Sequence, residues 1–146
     1  MVFEMLLLLL LTWSMMTSST KTHNKKQQLL RIGRKVVGIS GYRYPLHHLE
    51  EDASGGYSKV VMVKGEMPRV ILRMRRPRDE VESGREEYYS ENCLILVYLH
   101  EVSHLLSPPG HGAPFMEVEN RLRNVAIAAG ILPQNSGIDG DYPCYR

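Results

Sequence analysis

Three histidines and one glutamate lie within twelve positions of one another, in the stretch LHEVSHLLSPPGHGAPF at residues 99–115. His100 and His104 are four residues apart, so on a helix their imidazoles project from one face about one turn apart. Two imidazole nitrogens in that arrangement can bind one Zn²⁺ at about 2.0–2.1 Å. Glu101 lies beside that face, where it can reach a water on the metal without binding the metal itself.

A catalytic zinc ion needs a third protein ligand and one open position, and His111 is the first candidate for that ligand. Pro108 and Pro109 must end the helix, because proline cannot continue the backbone hydrogen-bond ladder. Gly110 and Gly112 then give the chain the freedom to turn back toward the metal. The spacing therefore predicts a zinc site made by His100, His104 and His111.

Two glutamates are the alternative third ligand. Glu117 and Glu119 lie at the start of the next predicted helix, where the ordinary expectation is a solvated face with Arg121 and Arg123 four residues further along. His111 is favoured over either glutamate, because histidine is the commoner metal ligand and the glycine-flanked turn suits it.

The chemistry expected of such a site is hydrolysis. Zinc lowers the pKa of a bound water from its value in bulk water toward about 7. Glu101 would act as the general base, taking the proton of that water and later delivering it to a leaving amine. We therefore expect a zinc-dependent peptidase acting on protein or peptide substrates. The alternatives are a catalytically silent, zinc-stabilised binding module and a zinc hydrolase with a different substrate.

The elements around this stretch predict an α+β fold. Helices are expected at about 89–106, with Ser90 as N-cap, and at about 114–129, where apolar residues recur every three or four positions. Two runs rich in β-branched residues, 58–64 and 69–75, predict strands joined by a short hairpin connection. The expected architecture is a small, mainly antiparallel sheet packed on the helix that carries the HExxH motif and on the amphipathic helix after it.

The N-terminal region divides into two predicted segments ahead of a zinc-binding domain at 58–146. Residues 1–20 contain an apolar run at 5–16, which predicts a membrane anchor or a signal-like segment. Residues 21–57 are basic and then loop-like, and lysines and arginines after an apolar run favour a cytosolic location for the rest of the chain. We therefore expect a membrane-associated protein with a cytosolic catalytic domain; a secreted or lumenal protein is the alternative.

The stretch HEVSHLLSPPGHGAPF resembles the WLM and SprT-like metalloproteases, a zincin group in which a third histidine and an aromatic residue come after HExxH across a short turn. The resemblance covers about 58–146, is most specific at 94–132, and extends to copies found in large DNA viruses. It implies a minimal zincin-like protease domain with zinc as cofactor, in a group linked to cleavage of proteins crosslinked to DNA. The residues that match the pattern are His100, Glu101, His104, His111 and Phe115.

In zincins the strand before the motif helix commonly lies at the sheet edge, where a substrate peptide adds as a further strand. The sequence RVILRMR occupies that place in the chain. The resemblance therefore implies a substrate-binding edge formed by Val70, Ile71, Leu72 and Arg73.

A second possible partner is nucleic acid. Five arginines are close together in the chain: Arg69, Arg73, Arg75, Arg76 and Arg78. They could form a phosphate-contacting surface, but five acidic residues come directly after them within 79–87 and favour a solvated strand face. The formal net charge of +2 adds little support. Nucleic acid is therefore a less favoured partner than a protein or peptide substrate. We expect the chain to be a monomer.

Other residues with potential chemistry have simpler interpretations. His47 and His48 beside acidic residues could suggest a second metal, yet a mixed-charge loop fits better because no ligand spacing recurs. Cys93 shares the inward face of the first helix and is expected to be a small buried hydrophobe. Cys144, in the tail, could block or bind the zinc ion, although simple packing of the tail is favoured.

Overall fold

The computed structural model describes residues 2–143, without the side chains of residues 2–3, 7–8 and 10–17. Helices and a small sheet combine in it, which confirms the α+β class. In chain order the elements are α1 (Val2–Ile39), β1 (His48–Glu51), β2 (Lys59–Val61), β3 (Arg69–Leu72), α2 (Arg78–Glu82), α3 (Glu91–Leu106) and α4 (Ala113–Ala128).

The three strands form a mixed sheet in the order β1-β3-β2. β3 pairs parallel with β1, with Leu49 opposite Val70, and antiparallel with β2, with Val60 opposite Val70. The sheet is therefore not mainly antiparallel, since one of its two pairings is parallel. The parallel partner was predicted as loop because β1 reads HLEE and has neither β-branched residues nor an apolar alternation.

The central position of β3 corrects one expectation about substrate binding. Val70, Ile71, Leu72 and Arg73 were expected at a free sheet edge, but β3 lies between two strands. Both of its backbone edges are already paired in the sheet, and Val70 and Leu72 are fully buried. The prediction that this strand forms a free edge of the sheet is therefore wrong.

Helix α3 is the centre of the core. Ser90 is its N-cap, as predicted, and its hydroxyl accepts a hydrogen bond from the Cys93 amide at 3.3 Å. Every residue from 93 to 103 is buried, because α3 packs against α1, α4, β2 and β3. Because α3 is covered by several elements, its polar residues His100, Glu101 and Ser103 are buried in the interior.

Helix α4 covers the last turns of α3. Its buried residues are Phe115, Val118, Leu122 and Ala126, at the three- and four-residue steps that predicted an amphipathic helix. Because α4 begins at Ala113, only a short turn separates it from the end of α3 at Leu106. The two helices therefore bring the HExxH motif and the residues after it to one place.

The C-terminal part of α1 belongs to the same core. Leu29, Val36 and Val37 are buried, although residues 21–57 were predicted to be a basic linker and loop. Gly33 lies so close to Tyr98 of α3 that a Cβ at this position would be 2.8 Å from the tyrosine ring. α1 ends at Ile39, and Gly41 in the turn after it has a φ of +85°, which suits glycine. The Tyr42 amide then donates to the Val37 carbonyl.

The apolar run near the N-terminus forms the first part of α1. Within residues 2–143, no helix combines the length and the apolar character that a membrane span requires. The run at 5–16 is shorter than the roughly 20 residues that cross a bilayer, and α1 continues from it into hydroxyl and lysine side chains. This finding overturns both the predicted transmembrane anchor and the membrane-associated location that depended on it.

The two glycines in the second half of α1 provide a matched test of this packing. Gly33→Ala places a methyl group against the buried Tyr98 ring and should lower the free energy of unfolding by about 1–2 kcal/mol. Gly38→Ala meets no atom within 4 Å and should raise it by about 0.5–1 kcal/mol through backbone entropy. Urea unfolding of the two variants measures both values; a Gly33→Ala protein as stable as Gly38→Ala would contradict the packing of α1 on α3.

Candidate metal centre

Three histidine side chains converge where α3 ends and α4 begins. His100 and His104 extend from α3, and His111 lies in the turn before α4. One ring nitrogen from each lies within 4.8 Å of the other two. The ring centroids are 5.0 Å apart for His100 and His104, and 4.7 Å apart for His104 and His111. Within residues 2–143 this is the one group of three or more such residues that could hold a metal ion.

The turn between the helices explains why His111 can join the other two. α3 stops before Pro108 and Pro109, and Gly110 then adopts a φ of +98°, a conformation that side chains other than glycine rarely take. A tetrahedral metal with nitrogens at about 2.0–2.1 Å holds those nitrogens about 3.3 Å apart. The ring nitrogens of the three histidines lie within 4.8 Å of one another, a separation on the same scale. The residues present therefore fit a metal ion.

Phe115 packs against all three histidine rings. The centroid of its ring lies 4.9 Å from His100, 4.3 Å from His104 and 4.9 Å from His111. Phe115 is buried and belongs to the first turn of α4. The aromatic ring restricts the orientations that the imidazoles can adopt and excludes water from one side of the cluster.

Glu101 is fully buried next to this cluster. Neither of its carboxyl oxygens has a hydrogen-bond partner among the described residues. Burial, with a smaller contribution from the negative charge of Glu119, raises the pKa of Glu101 to about 8. Burying a carboxyl group without a partner costs folding free energy. The position of Glu101 beside three potential metal ligands therefore indicates a functional role for this residue.

Glu119, which was considered as a third metal ligand, contacts one of the histidines instead. Its carboxylate accepts a hydrogen bond from Nδ1 of His100, and this contact lowers the pKa of Glu119. Neither Glu119 nor Glu117 belongs to the set that could hold the metal, which consists of three histidines. The spacing from Phe115 to Glu119 indicates only that the two side chains share one face of α4, because residues four apart lie on the same side of a helix.

The arginine cluster has mostly internal partners. Arg75 donates two hydrogen bonds to Glu51, at 2.6 and 2.9 Å. Arg76 pairs with Asp141 at 2.7 Å and with Asp139 at 3.4 Å. These ion pairs favour a role in tying the C-terminal segment and β1 to the domain over contact with phosphates.

The remaining residues with potential chemistry lie apart from the cluster. His47 donates from Nδ1 to the Pro45 carbonyl, and its Nε2 is 2.8 Å from the Tyr98 hydroxyl. His48 is exposed. Cys93 is buried as predicted, and Cys144 lies outside the described residues.

Comparisons with known proteins find no match: no family model fits the chain, and neither a curated protein nor a solved structure is similar to it. The resemblance to the WLM and SprT-like group therefore stays a prediction from residues 94–132. The site has to be interpreted from its own geometry.

That geometry predicts one divalent metal ion per chain. Titration of the metal-free protein with Co²⁺, followed by absorption spectroscopy and calorimetry, should give a stoichiometry of one. His104→Ala removes one of three ligands and should weaken binding by more than about 100-fold, because losing a direct ligand costs more than losing a group that supports one. His48→Ala, an exposed histidine outside the cluster, is the control and should bind as the original protein does. Equal affinity of the two variants would exclude the cluster as the metal site.

Proposed function

We propose that this protein is a zinc-dependent peptidase. The observation that carries the proposal is the pairing of a three-histidine cluster with the buried carboxyl group of Glu101, which has no hydrogen-bond partner in the described chain. Three protein ligands leave a fourth position for a water or a substrate, as in catalytic zinc sites. A purely structural zinc site usually has four protein ligands and needs no carboxyl group beside it.

Zinc suits three imidazole donors better than the harder cations, which prefer oxygen ligands. Bound there, it would supply Lewis acidity, lowering the pKa of a water and polarising the carbonyl group under attack. His100, His104 and His111 would hold it. Phe115 would keep the three rings in place and shield the site from bulk water on one side.

Glu101 is the general base of this proposal. Its carboxylate takes a proton from the attacking water, whose oxygen bonds to the carbonyl carbon of the substrate. As the carbon–nitrogen bond breaks, Glu101 returns the proton to the leaving nitrogen. The raised pKa of Glu101 is no obstacle, because a cation in the histidine cluster would favour the ionised carboxylate.

The substrate edge is reassigned from β3 to β2. β2 is an edge strand that packs against α3, whereas β1, the other edge strand, packs against α1. Four large apolar side chains in the segment around β2 are exposed: Tyr57, Met62, Val63 and Met67. An extended peptide that added to β2 would find backbone partners along the strand and apolar contacts beside it. Unfolded, apolar protein segments are therefore the proposed substrates.

Replacing Glu101 with glutamine tests the proposed base. Glu101→Gln keeps the shape of the side chain but cannot accept the proton, so kcat/KM should fall by about 10²–10⁴-fold while zinc binding is retained. The measurement is cleavage of an unfolded protein, with zinc content determined in parallel. Glu117→Gln, an exposed glutamate of α4, should change neither value.

Three outcomes of that experiment are informative. Loss of cleavage in Glu101→Gln alone supports the peptidase. Zinc in both the original protein and Glu101→Gln, with cleavage by neither, would replace the peptidase with a catalytically silent, zinc-stabilised binding module. Equal cleavage by both proteins would show that Glu101 is not the base.

The proposed substrate edge has its own test. Met62→Ser removes a 70% exposed apolar side chain next to β2 and should raise KM for an unfolded substrate about tenfold, the equivalent of about 1.4 kcal/mol of lost contact. Leu46→Ser removes a similarly exposed residue, at 68%, outside the β2 segment and should leave KM unchanged. Equal effects of the two substitutions on KM would argue against β2 as the substrate edge.

A further inference from the structure

We propose that Glu119 is a positioning residue, whose carboxylate fixes the tautomer and ring orientation of His100 so that Nε2 faces the metal site. The inference rests on the proposed zinc centre. The observation that supports it is the hydrogen bond between the Glu119 carboxylate, on α4, and His100 Nδ1, on α3.

The chemistry of the two groups decides which nitrogen carries the proton. An ionised carboxylate only accepts hydrogen bonds, so Nδ1 of His100 must donate. In the neutral imidazole the other nitrogen, Nε2, then has no proton and keeps the lone pair that a metal requires. A carboxylate on the outer nitrogen also makes the ring a stronger ligand.

Burial shows why this contact contributes more to orientation than to stability. The His100 side chain is only 6% exposed, whereas the Glu119 side chain is 34% exposed. A partly solvated hydrogen bond of this kind contributes little to folding, since water competes for the carboxylate. Holding a buried imidazole in one orientation is a different effect, because the ring is a ligand only while the correct nitrogen faces the metal site.

With Glu119 on α4, the candidate metal ligands and the groups that orient them come from different helices. α3 provides His100 and His104, and α4 provides Phe115 and Glu119, which constrain the rings from the other side. Glu119 is four residues after Phe115, so both side chains come from one face of α4. Docking of α4 on α3 therefore orients the ligands as well as covering them.

The experiment measures zinc affinity of the full chain by competition with a chromophoric chelator. Glu119→Gln keeps the size of the side chain but loses the charge, and it should weaken zinc binding by about 10–100-fold. Glu117→Gln, two residues away and exposed, is the matched control and should bind as the original protein does. Circular dichroism and the thermal midpoint of the metal-free proteins should be unchanged, which separates positioning from a general loss of fold.

Two further measurements distinguish positioning from direct ligation. At saturation, Co²⁺ bound to Glu119→Gln should keep the absorption spectrum of the original protein, because the ligands are the same. In a His100→Ala background, Glu119→Gln should cause no additional loss of affinity, because the group that it positions is gone. A changed Co²⁺ spectrum, or an equal further loss in the His100→Ala background, would overturn the inference by showing that Glu119 binds the metal itself.

The outcomes for Glu119 and for the peptidase are separable. If the original protein binds zinc and Glu119→Gln binds it equally well, only the positioning role is overturned. If Glu119→Gln loses zinc affinity as predicted but the original protein cleaves no substrate, the positioning role is supported and only the peptidase is overturned. No zinc binding by the original protein would overturn both.

Discussion

The burial of His100 and Glu101 in the middle of α3 places two ionisable side chains in the core of the protein. Residues 93–103 are buried without interruption, so an imidazole and a carboxyl group leave water when the chain folds. Leaving such a group without a partner costs about 1–3 kcal/mol or more. His100 has Glu119 as a partner, while the carboxyl oxygens of Glu101 have none among residues 2–143. The fold therefore carries a cost that a catalytic group would explain.

The surrounding elements can be understood as support for that pair. α1, β2 and β3 pack against α3, and Gly33 allows α1 to approach Tyr98 closely. The proline and glycine turn after α3 brings His111 back, and the first turns of α4 contribute Phe115 and Glu119. The C-terminal segment secures the start of α3, since Asp139 accepts hydrogen bonds from the amide and hydroxyl of Ser90 at 2.7 and 2.6 Å.

The features that the sequence predicted well depend on short separations along the chain. The Ser90 cap, both helices and the convergence of His100, His104 and His111 result from spacings of a few residues and from helix-breaking prolines. The position of β3 in the sheet was not predictable in this way, because it depends on parallel pairing with the polar strand β1, about twenty residues earlier. The contact between Glu119 and His100 was also not predicted, since helix spacing shows which face a side chain occupies but not which group lies opposite.

Helix α1 also shows that packing between elements distant in the chain could not be predicted from local sequence patterns. A run of six leucines dominated the interpretation of residues 1–20, and the buried positions further along, Leu29, Val36 and Val37, were overlooked among lysines and arginines. Spacings of seven and eight residues between those positions are typical of one helix face. A contact between α1 and α3 requires knowledge of the tertiary fold, which no local pattern provides.

X-ray absorption spectroscopy of the zinc-loaded chain would identify the atoms that bind the metal and their distances from it. Three imidazole nitrogens and one exchangeable oxygen at about 2.0–2.1 Å from the metal are the expected result, because three histidines leave one position open. A sulfur ligand at about 2.3 Å, or a fourth protein ligand that closes the coordination sphere, would contradict a catalytic centre at His100, His104 and His111.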